Sequence, residues 1–347
     1  MRILVTGGTG YIGTHCCIAL IKEGIKPVII DNLSNSHPVV LERIKCITGF
    51  KPDFIHGDLR DKNVLSHIFV QYDITAVIHL AGLKAVSESV SKPFEYFDNN
   101  ICGSLSLIAS MREARVKTLI FSSSATVYGM SDQQPVSENF ARSAVNPYGH
   151  SKLMVENILE NLAIGEPDWR IIVFRYFNPA GAHESGLVGE DPIGVPNNLA
   201  AYICQVAIGR RKYLSVFGAD YNTRDGTGLR DYIHVMDLAE GHLSALDYLC
   251  KRPGYWAVNL GTGQNVSVFE MLKAFRHASR RDIPFRIVQR RPGDVAECWA
   301  DPSLAYRLLG WKAHRTLNEI CIDAWHWQKL NSFGYLDKNA NNHAKAD

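Results

Sequence analysis

The sequence has little excess charge of either sign. Its 347 residues include 37 lysine and arginine against 35 aspartate and glutamate side chains, which gives a formal net charge of +2. No run of lysine or arginine is typical of a basic arm. These features exclude a protein that binds nucleic acid through its overall field. Any anionic ligand must instead be met by donors placed at one local site.

Long apolar runs and paired cysteine motifs are also missing. No segment of about 18 apolar residues occurs, so we expect no membrane-spanning helix. The chain enters a strand directly after Met1, which leaves no room for a signal peptide. The eight cysteines are scattered and form no C-x-x-C pair. This pattern disfavours a zinc site, so we predict no bound metal, and it predicts reduced thiols in a cytoplasmic protein.

Short β-branched strands alternate with amphipathic helices through the first half of the chain. One helix is predicted over residues 12–21, and a longer one begins near Asn99. This alternation predicts an α/β fold with a Rossmann-type, doubly wound parallel sheet. The predicted strands cover residues 3–5, 28–30, 53–56, 76–80, 118–122 and 171–175.

The pattern changes after Asn178, where proline and glycine become frequent. We therefore predict a Rossmann domain at residues 1–178 and a smaller α/β substrate-binding domain at residues 179–330. The chain is expected to rejoin the first domain over about residues 232–261. The polar tail, residues 331–347, is expected to be frayed.

A glycine-rich turn follows the first strand and opens the first helix. Gly7, Gly10 and Gly13 form G-x-x-G-x-x-G, in which glycine allows backbone N–H groups to approach a pyrophosphate at the helix N-terminus. Asp31 ends the second strand, where a carboxylate accepts ribose hydroxyls and repels a 2′-phosphate. These features predict a site for NAD rather than NADP. Asp58, after the third strand, either meets the adenine amino group or caps a helix.

A tyrosine and a lysine at helical spacing form the predicted catalytic set with a serine. Tyr148 precedes Lys152 by one helical turn, so both lie on the same face of a helix. An ammonium and an oxidised nicotinamide both stabilise phenolate, which makes this tyrosine a general base for a sugar hydroxyl. Ser124 follows the fifth strand at the sheet edge where ligands gather. Its hydroxyl is predicted to bridge substrate and tyrosine, whereas Ser122 also fits simple turn chemistry.

Longer stretches of the sequence resemble one enzyme family. Together with the leading glycines and the catalytic set, they are similar to the extended short-chain dehydrogenase/reductase superfamily and, within it, to UDP-glucose 4-epimerases. The resemblance extends from residue 1 to about residue 330. The stretches that carry it are residues 81–86 (AGLKAV), 121–129 (FSSSATVYG), 175–179 (RYFNP), 196–199 (PNNL), 225–228 (DGTG) and 230–235 (RDYIHV).

The resemblance implies an NAD cofactor, a UDP-sugar substrate and a homodimer formed through helices of the first domain. It also implies that Ser124, Tyr148 and Lys152 are catalytic. The expected NAD-binding residues are Gly7, Gly10, Tyr11, Ile12, Gly13, Asp31, Asn32, Asp58, Leu59, Ala81, Gly82, Lys84, Asn99, Ser122, Tyr148, Lys152, Tyr176 and Phe177. The expected substrate-binding residues are Lys84, Ser124, Tyr148, Asn178, Asn198, Leu199, Phe217, Arg230, Arg291, Asp294 and Cys298.

The implied reaction inverts the C4 hydroxyl of a UDP-hexose without net oxidation. Tyr148 takes the O4 proton while hydride leaves C4 for NAD, and a 4-keto sugar results. The sugar turns about its diphosphate link before hydride returns to its other face. Arg230 and Arg291 suit the diphosphate because a guanidinium donates hydrogen bonds in a planar fork.

Other chemistries share the first oxidation step and remain alternatives. Sugar-nucleotide 4,6-dehydratases and sugar-acid decarboxylases resemble this fold but have acidic residues where this chain has Ala125 and Thr126. A net dehydrogenase is disfavoured because the resemblance extends through the substrate half. A non-catalytic NAD-binding sensor is a further alternative, and the presence of both Tyr148 and Lys152 disfavours it.

Two positions deserve comparison with the family pattern. Glucose-restricted relatives have tyrosine where this chain has Cys298. The smaller side chain predicts a wider sugar pocket that admits a 2-acetamido group, so that UDP-GlcNAc and UDP-GalNAc are also substrates. The alternative is a neutral core substitution. His150 adds a titratable group between Tyr148 and Lys152, and it is expected to point away from the site.

Overall fold

The structure is a computed structural model that describes residues 1–130, 133–250, 252–291 and 293–336. The strands are β1 (Arg2–Thr6), β2 (Lys26–Asp31), β3 (Asp53–His56), β4 (Ile74–His79), β5 (Thr118–Ser124), β6 (Arg170–Tyr176), β7 (Asn178–Ala180), β8 (Leu214–Phe217), β9 (Leu229–Arg230), β10 (Tyr232–His234), β11 (Gly254–Leu260), β12 (Val266–Ser267), β13 (Phe285–Val288) and β14 (Glu297–Cys298). The helices are α1 (Tyr11–Lys22), α2 (Val40–Thr48), α3 (Lys62–Gln71), α4 (Val86–Ser91), α5 (Pro93–Phe97), α6 (Gly103–Glu113), α7 (Pro147–Gly165), α8 (Leu199–Ala207), α9 (Val235–Leu249), α10 (Val268–Ser279), α11 (Ser303–Leu309) and α12 (Leu317–Leu330). A π-helical turn (Asp98–Cys102) precedes α6, and two 3₁₀ turns cover Ala125–Tyr128 and Gly334–Leu336.

A seven-stranded parallel sheet lies at the centre, in the order β11-β6-β5-β4-β1-β2-β3. The strand order reverses where β1 and β4 lie side by side. Such a switch point opens a crevice at the carboxyl ends of the strands, and ligands bind there. The Rossmann-type α/β fold predicted from the sequence is confirmed.

Both faces of the central sheet are covered by helices. Ile3 and Val5 of β1 pack with α1, α2, α9 and α11 on one face, whereas Leu4 packs with α3, α6 and α7 on the other. All three side chains are fully buried. Alternate residues of one strand therefore enter two separate cores, which explains the continuous apolar character of the strand.

The second half of the chain builds its own core outside the central sheet. Side chains of α8, α10 and α12 pack with β8 in this core, around Ile203, Phe275 and Ile320. The chain then returns to the first half, because β11 joins the central sheet beside β6 and α9 packs on α1. The domain bounds drawn from the sequence stay predictions. No helix in the described ranges combines the length and apolarity needed to cross a bilayer.

The expected fraying of the tail from residue 331 is wrong for residues 331–336. Asn331 is buried and donates from its amide to the Gly186 carbonyl oxygen at 2.9 Å. The Tyr335 hydroxyl donates to the Gly189 carbonyl oxygen at 3.0 Å. Gly334 adopts a φ of +80°, and a side chain there would collide with the Asp191 carboxylate. These contacts are to distant parts of the chain, which local polarity does not reveal. Residues 337–347 lie outside the described residues.

Candidate functional site

The glycine turn is as tight as its sequence predicts. Gly7 has a φ of +68°, and a Cβ atom there would lie 2.8 Å from the Ala81 backbone nitrogen. A Cβ atom on Gly13 would collide with the Gly7 carbonyl oxygen. Helix α1 begins after Gly10 with neither a side-chain cap nor an acidic residue in its first turn. The partial positive charge of this helix end therefore remains available to an anion.

Asp31 is oriented by the same turn. Its Oδ2 accepts a hydrogen bond from the Thr9 backbone N–H at 3.2 Å, and its Oδ1 accepts from the Leu33 N–H at 2.9 Å. The Ser36 hydroxyl also donates to Oδ1 at 3.1 Å. The carboxylate thus has a fixed position at the carboxyl end of β2, beside the glycine turn.

Asp58 is held by neighbouring side chains and is not the cap of a helix. Asn32 donates to its carboxylate at 3.1 Å, and Arg60 forms an ion pair with it at 2.8 Å. Hydrogen bonds from Arg60 hold the pKa of Asp58 well below its usual range. The N-cap of α3 is Asp61, which accepts from the Asn63 N–H at 2.9 Å. The capping alternative for Asp58 is therefore wrong.

A buried asparagine that the sequence did not single out organises the loop after β4. Asn100 accepts from the Leu83 N–H at 2.8 Å and donates to the Leu83 carbonyl oxygen at 3.1 Å. It also donates to the Ser151 hydroxyl at 2.9 Å. The predicted residue, Asn99, is half-buried beside it. The π-helical turn determines which of the two asparagines faces inward. The sequence carries no local signal for that turn.

The three predicted catalytic residues meet at the carboxyl end of β5. Asn146 caps α7 by accepting from the Gly149 N–H at 2.9 Å, which places Tyr148 in the first turn. Ser124 ends β5, and its side chain lies close enough to the Tyr148 phenol to affect the pKa of that phenol. Lys152 is 4% exposed and donates to the Ser122 carbonyl oxygen at 2.7 Å.

Burial governs the protonation of this group. It raises the pKa of Tyr148, and the neighbouring Ser124 side chain opposes this effect. Burial lowers the pKa of Lys152 to about 8, and the charge of Glu156 opposes that shift. The lysine ammonium donates to the Ser122 backbone carbonyl oxygen. A positive charge beside the phenol, from this ammonium or from a bound nicotinamide, would favour the phenolate form.

A chain of contacts joins five of the predicted substrate residues. The Arg291 guanidinium lies 3.8 Å from the centre of the Phe217 ring. The Asp294 backbone N–H donates to the Arg291 carbonyl oxygen at 3.2 Å, and the Asp294 carboxylate meets Arg230 at 3.5 Å. Arg230 also pairs with Cys298 between β9 and β14. Two arginines thus lie close to Asp294 in the second half of the chain, one through its guanidinium and the other through its backbone.

Cys298 also contacts the cluster behind the catalytic serine. It is half-buried and packs against the core of Val127, Phe177 and Ala300, to which Ala125 contributes as well. Burial raises the pKa of its thiol, and Arg230 opposes this effect. The residue therefore lies between the serine turn and the arginine-bearing strand.

Asn198 and Lys84 are each held by a residue of the second half. Asn198 caps α8 and donates to the Pro179 carbonyl oxygen at 2.6 Å. Lys84 forms an ion pair with Glu190 at 3.3 Å and lies 5.9 Å from the centre of the Tyr11 ring. Of the remaining predicted positions, Ile12 and Leu59 pack on the two cores beside the central sheet. The Tyr176 hydroxyl forms a hydrogen bond with the His242 ring at 2.7 Å. Leu199 begins α8, and Asn178 begins β7. His150, as expected, is exposed.

One group of potential metal ligands is present among the described residues. Asp237, Glu240 and His314 have ligand atoms within 4.8 Å of one another. The Arg315 guanidinium already bonds Asp237 at 2.5 Å and Glu240 at 2.9 Å. The cluster is therefore an ion-pair network, because the arginine occupies the oxygens that a cation would need.

Comparison with known proteins identifies the family. The model of the family described as GDP-mannose 4,6 dehydratase matches residues 4–324. The UDP-glucose 4-epimerase of Dictyostelium discoideum is 55% identical over 337 residues, which cover 97% of this chain and 98% of that protein. Two solved structures of UDP-glucose 4-epimerase each give a TM-score of 0.94 and cover 96% of this chain. The protein from Stenotrophomonas maltophila, with bound NAD and formylated UDP-arabinopyranose, is 50% identical and 99% covered. The protein from Bifidobacterium longum, in complex with NAD⁺ and UDP, is 48% identical and 100% covered. The chain belongs to the UDP-glucose 4-epimerase family of the extended short-chain dehydrogenase/reductase superfamily.

Proposed function

We propose that this protein is an NAD-dependent 4-epimerase that interconverts UDP-glucose and UDP-galactose. The observation that carries the proposal is the meeting of Ser124, Tyr148 and Lys152 at the carboxyl end of β5, where Tyr148 lies in the first turn of α7 and Lys152 donates to the Ser122 carbonyl oxygen. This group lies at the end of the Rossmann sheet where ligands bind, while Arg230 and Arg291 provide a diphosphate site in the second half.

The residues at the glycine turn fit NAD. The turn leaves no room for a side chain at Gly7 or Gly13, so backbone N–H groups approach a pyrophosphate directly. Asp31 Oδ2 has one described donor, the Thr9 N–H. A carboxylate oxygen accepts more than one hydrogen bond, so it retains capacity for a ribose hydroxyl. NAD held there would supply reversible hydride transfer at the sugar carbon.

The protein side chains carry out proton transfer and substrate binding. Tyr148 removes the O4 proton and later returns it, while the neighbouring Ser124 hydroxyl lowers the pKa of the phenol. Arg230 and Arg291 hold the diphosphate, which anchors the nucleotide while the sugar turns. Binding energy is therefore concentrated away from the reacting carbon, and the sugar itself remains loosely held.

Elimination of water is disfavoured although the matching family model is described as a dehydratase. A 4,6-dehydratase needs an extra acid and base beside the oxidised carbon. The turn after Ser124 contains Ala125 and Thr126, neither of which titrates in the useful range. Epimerisation needs only the one proton carrier that this site provides, and it therefore remains the favoured reaction.

The decisive assay uses the purified protein with UDP-galactose and no added cofactor. Formation of UDP-glucose, with NAD released on denaturation, is the expected result. A 4-keto-6-deoxy product would favour the dehydratase alternative. Binding of NAD with no turnover of either UDP-hexose would favour the non-catalytic alternative and overturn this proposal.

We also propose that the sugar pocket accepts 2-acetamido sugars, because Cys298 offers a small side chain beside Arg230 and the serine turn. UDP-GlcNAc and UDP-GalNAc would then be interconverted by the same chemistry. The eight unpaired cysteines support a further proposal, that the protein works in the reducing cytoplasm.

Exposed apolar side chains on the helices of the first half support the proposed homodimer. Val90 of α4 is 66% exposed and Phe94 of α5 is 77% exposed. Leu105 of α6 and Met154 of α7 are also exposed, and both α4 and α5 pack against α7. An apolar surface shared by adjacent helices is typical of an interface between two copies of a chain.

We expect Phe94→Asp to convert the dimer into a monomer, because the interface would have to bury an unpaired carboxylate. Analytical ultracentrifugation measures the change in mass. Ile287→Asp is the matched control, since Ile287 of β13 is 58% exposed in the other half of the chain. A parent protein that sediments as a monomer, or a dimer that survives Phe94→Asp unchanged, would contradict this interface.

A further inference from the structure

A carboxylate is completely buried one helical turn beyond Lys152. Glu156 is 0% exposed and lies on the same face of α7 as the lysine. It accepts hydrogen bonds from Arg175 Nε at 3.1 Å and from Arg175 Nη2 at 2.7 Å. Burying such a pair costs several kcal/mol of desolvation per ion. Its position beside the catalytic set therefore calls for a specific explanation.

The same carboxylate is bonded to the strand that bears the catalytic serine. The Ser123 hydroxyl donates to Glu156 at 2.5 Å. Ser123 lies between Ser122, whose carbonyl oxygen accepts from Lys152, and Ser124, whose hydroxyl is a neighbour of the Tyr148 phenol. Glu156 thus fixes α7 against the end of β5 at the point where the predicted catalytic groups meet.

Glu156 also determines the electrostatic environment of the lysine. Burial lowers the pKa of Lys152, and Glu156 is the group that raises it. The aromatic and histidine neighbours bring no charge, because burial lowers the pKa of His79 to about 3 and raises the pKa values of Tyr96, Tyr148 and Tyr176. Two cations bind Glu156 itself, Arg175 at 2.7 Å and Arg142 at 3.4 Å.

The arginine is held from its far side by a neutral group. Arg175 Nη1 donates to the Tyr128 hydroxyl at 2.9 Å, and that hydroxyl donates to Asn259 at 2.6 Å. The Glu138 carbonyl oxygen also accepts from Arg175 at 3.3 Å.

We infer that Glu156 is a positioning residue of the epimerisation reaction, whose buried negative charge keeps the Lys152 ammonium charged while its bond to Ser123 holds the serine turn in place. This inference rests on the proposed function. Arg175 and Arg142 pair with the carboxylate, which limits the cost of burying its charge.

The test compares variants that change the charge in opposite directions. Glu156→Gln removes the negative charge and should move the alkaline limb of the kcat profile to lower pH by about one unit, because the lysine loses its proton earlier. Arg175→Met removes the balancing cation and should move that limb to higher pH. Tyr128→Phe deletes a neutral member of the network and should leave the limb where it is.

A structural role alone would give a different result. Loosening of the site would move both charge variants in the same direction, and that outcome, or no movement in either, overturns the inference. Carbon-13 NMR titration of the Lys152 side chain, assigned with Lys152→Met, gives a second readout that needs no turnover. The shifts of the lysine pKa are expected to have the same opposite signs. A parent protein without epimerase activity would refute the proposed function, whereas the NMR titration would still decide the role of Glu156.

Discussion

Replacing Tyr148 by phenylalanine is expected to lower kcat for UDP-galactose by about 10²–10⁴-fold, the range of positioned general acid–base catalysis. The Tyr148 phenol lies beside the Ser124 hydroxyl at the end of β5. Phenylalanine fills the same space and cannot carry the O4 proton. The rate should therefore fall while KM changes little, because the arginines that hold the diphosphate are untouched.

The control for this variant is another buried tyrosine. Tyr255 of β11 has a buried hydroxyl for which the described residues offer no hydrogen-bond partner. Tyr255→Phe removes the same atom without removing a contact, so kcat should remain near the parental value. Content of co-purifying NAD and thermal unfolding should be unchanged in both variants. An unimpaired rate in Tyr148→Phe would refute the assignment of the general base.

The sequence predicted those parts of the protein whose chemistry is local. Gly7, Gly13 and Asp31 could be placed because a strand, a turn and a helix follow one another without interruption. The relation of Tyr148 to Lys152 follows from helical spacing alone. The parallel, doubly wound character of the sheet follows from the alternation of strands and helices and from the handedness of their connections.

Features that depend on contacts between distant segments were not predicted. Asn100 faces inward because of a π-helical turn. Glu156 has no local signature, since its partners Ser123 and Arg175 come from two other elements. Tyr335 bonds residues that lie far from it in the chain. Lys152 illustrates the same limit. Helical spacing places its ammonium near the phenol, but the spacing does not show that the Ser122 carbonyl oxygen accepts a hydrogen bond from that ammonium.

Replacing Cys298 by tyrosine is expected to reduce kcat/KM for UDP-GlcNAc and UDP-GalNAc by at least about a hundredfold, since a sterically filled pocket rejects the larger substrate. Cys298 lies beside Arg230 and against the cluster that includes Ala125 and Phe177. A phenol ring added there extends toward the space that the 2-acetamido group needs. UDP-glucose and UDP-galactose have a hydroxyl at C2 in place of the acetamido group, so kcat/KM for them should change by only a few-fold.

Cys298→Ser separates the effect of size from that of the thiol. Serine keeps the side chain small, and all four substrates should be turned over nearly as by the parent enzyme. The measurement is kcat/KM for each UDP-sugar, together with thermal unfolding to exclude strain from overpacking. Loss of every activity in the tyrosine variant would indicate a damaged core, and retention of every activity would mean that position 298 does not limit the pocket. Either result would contradict the proposed role of Cys298, because only selective loss follows from a pocket whose width this side chain determines.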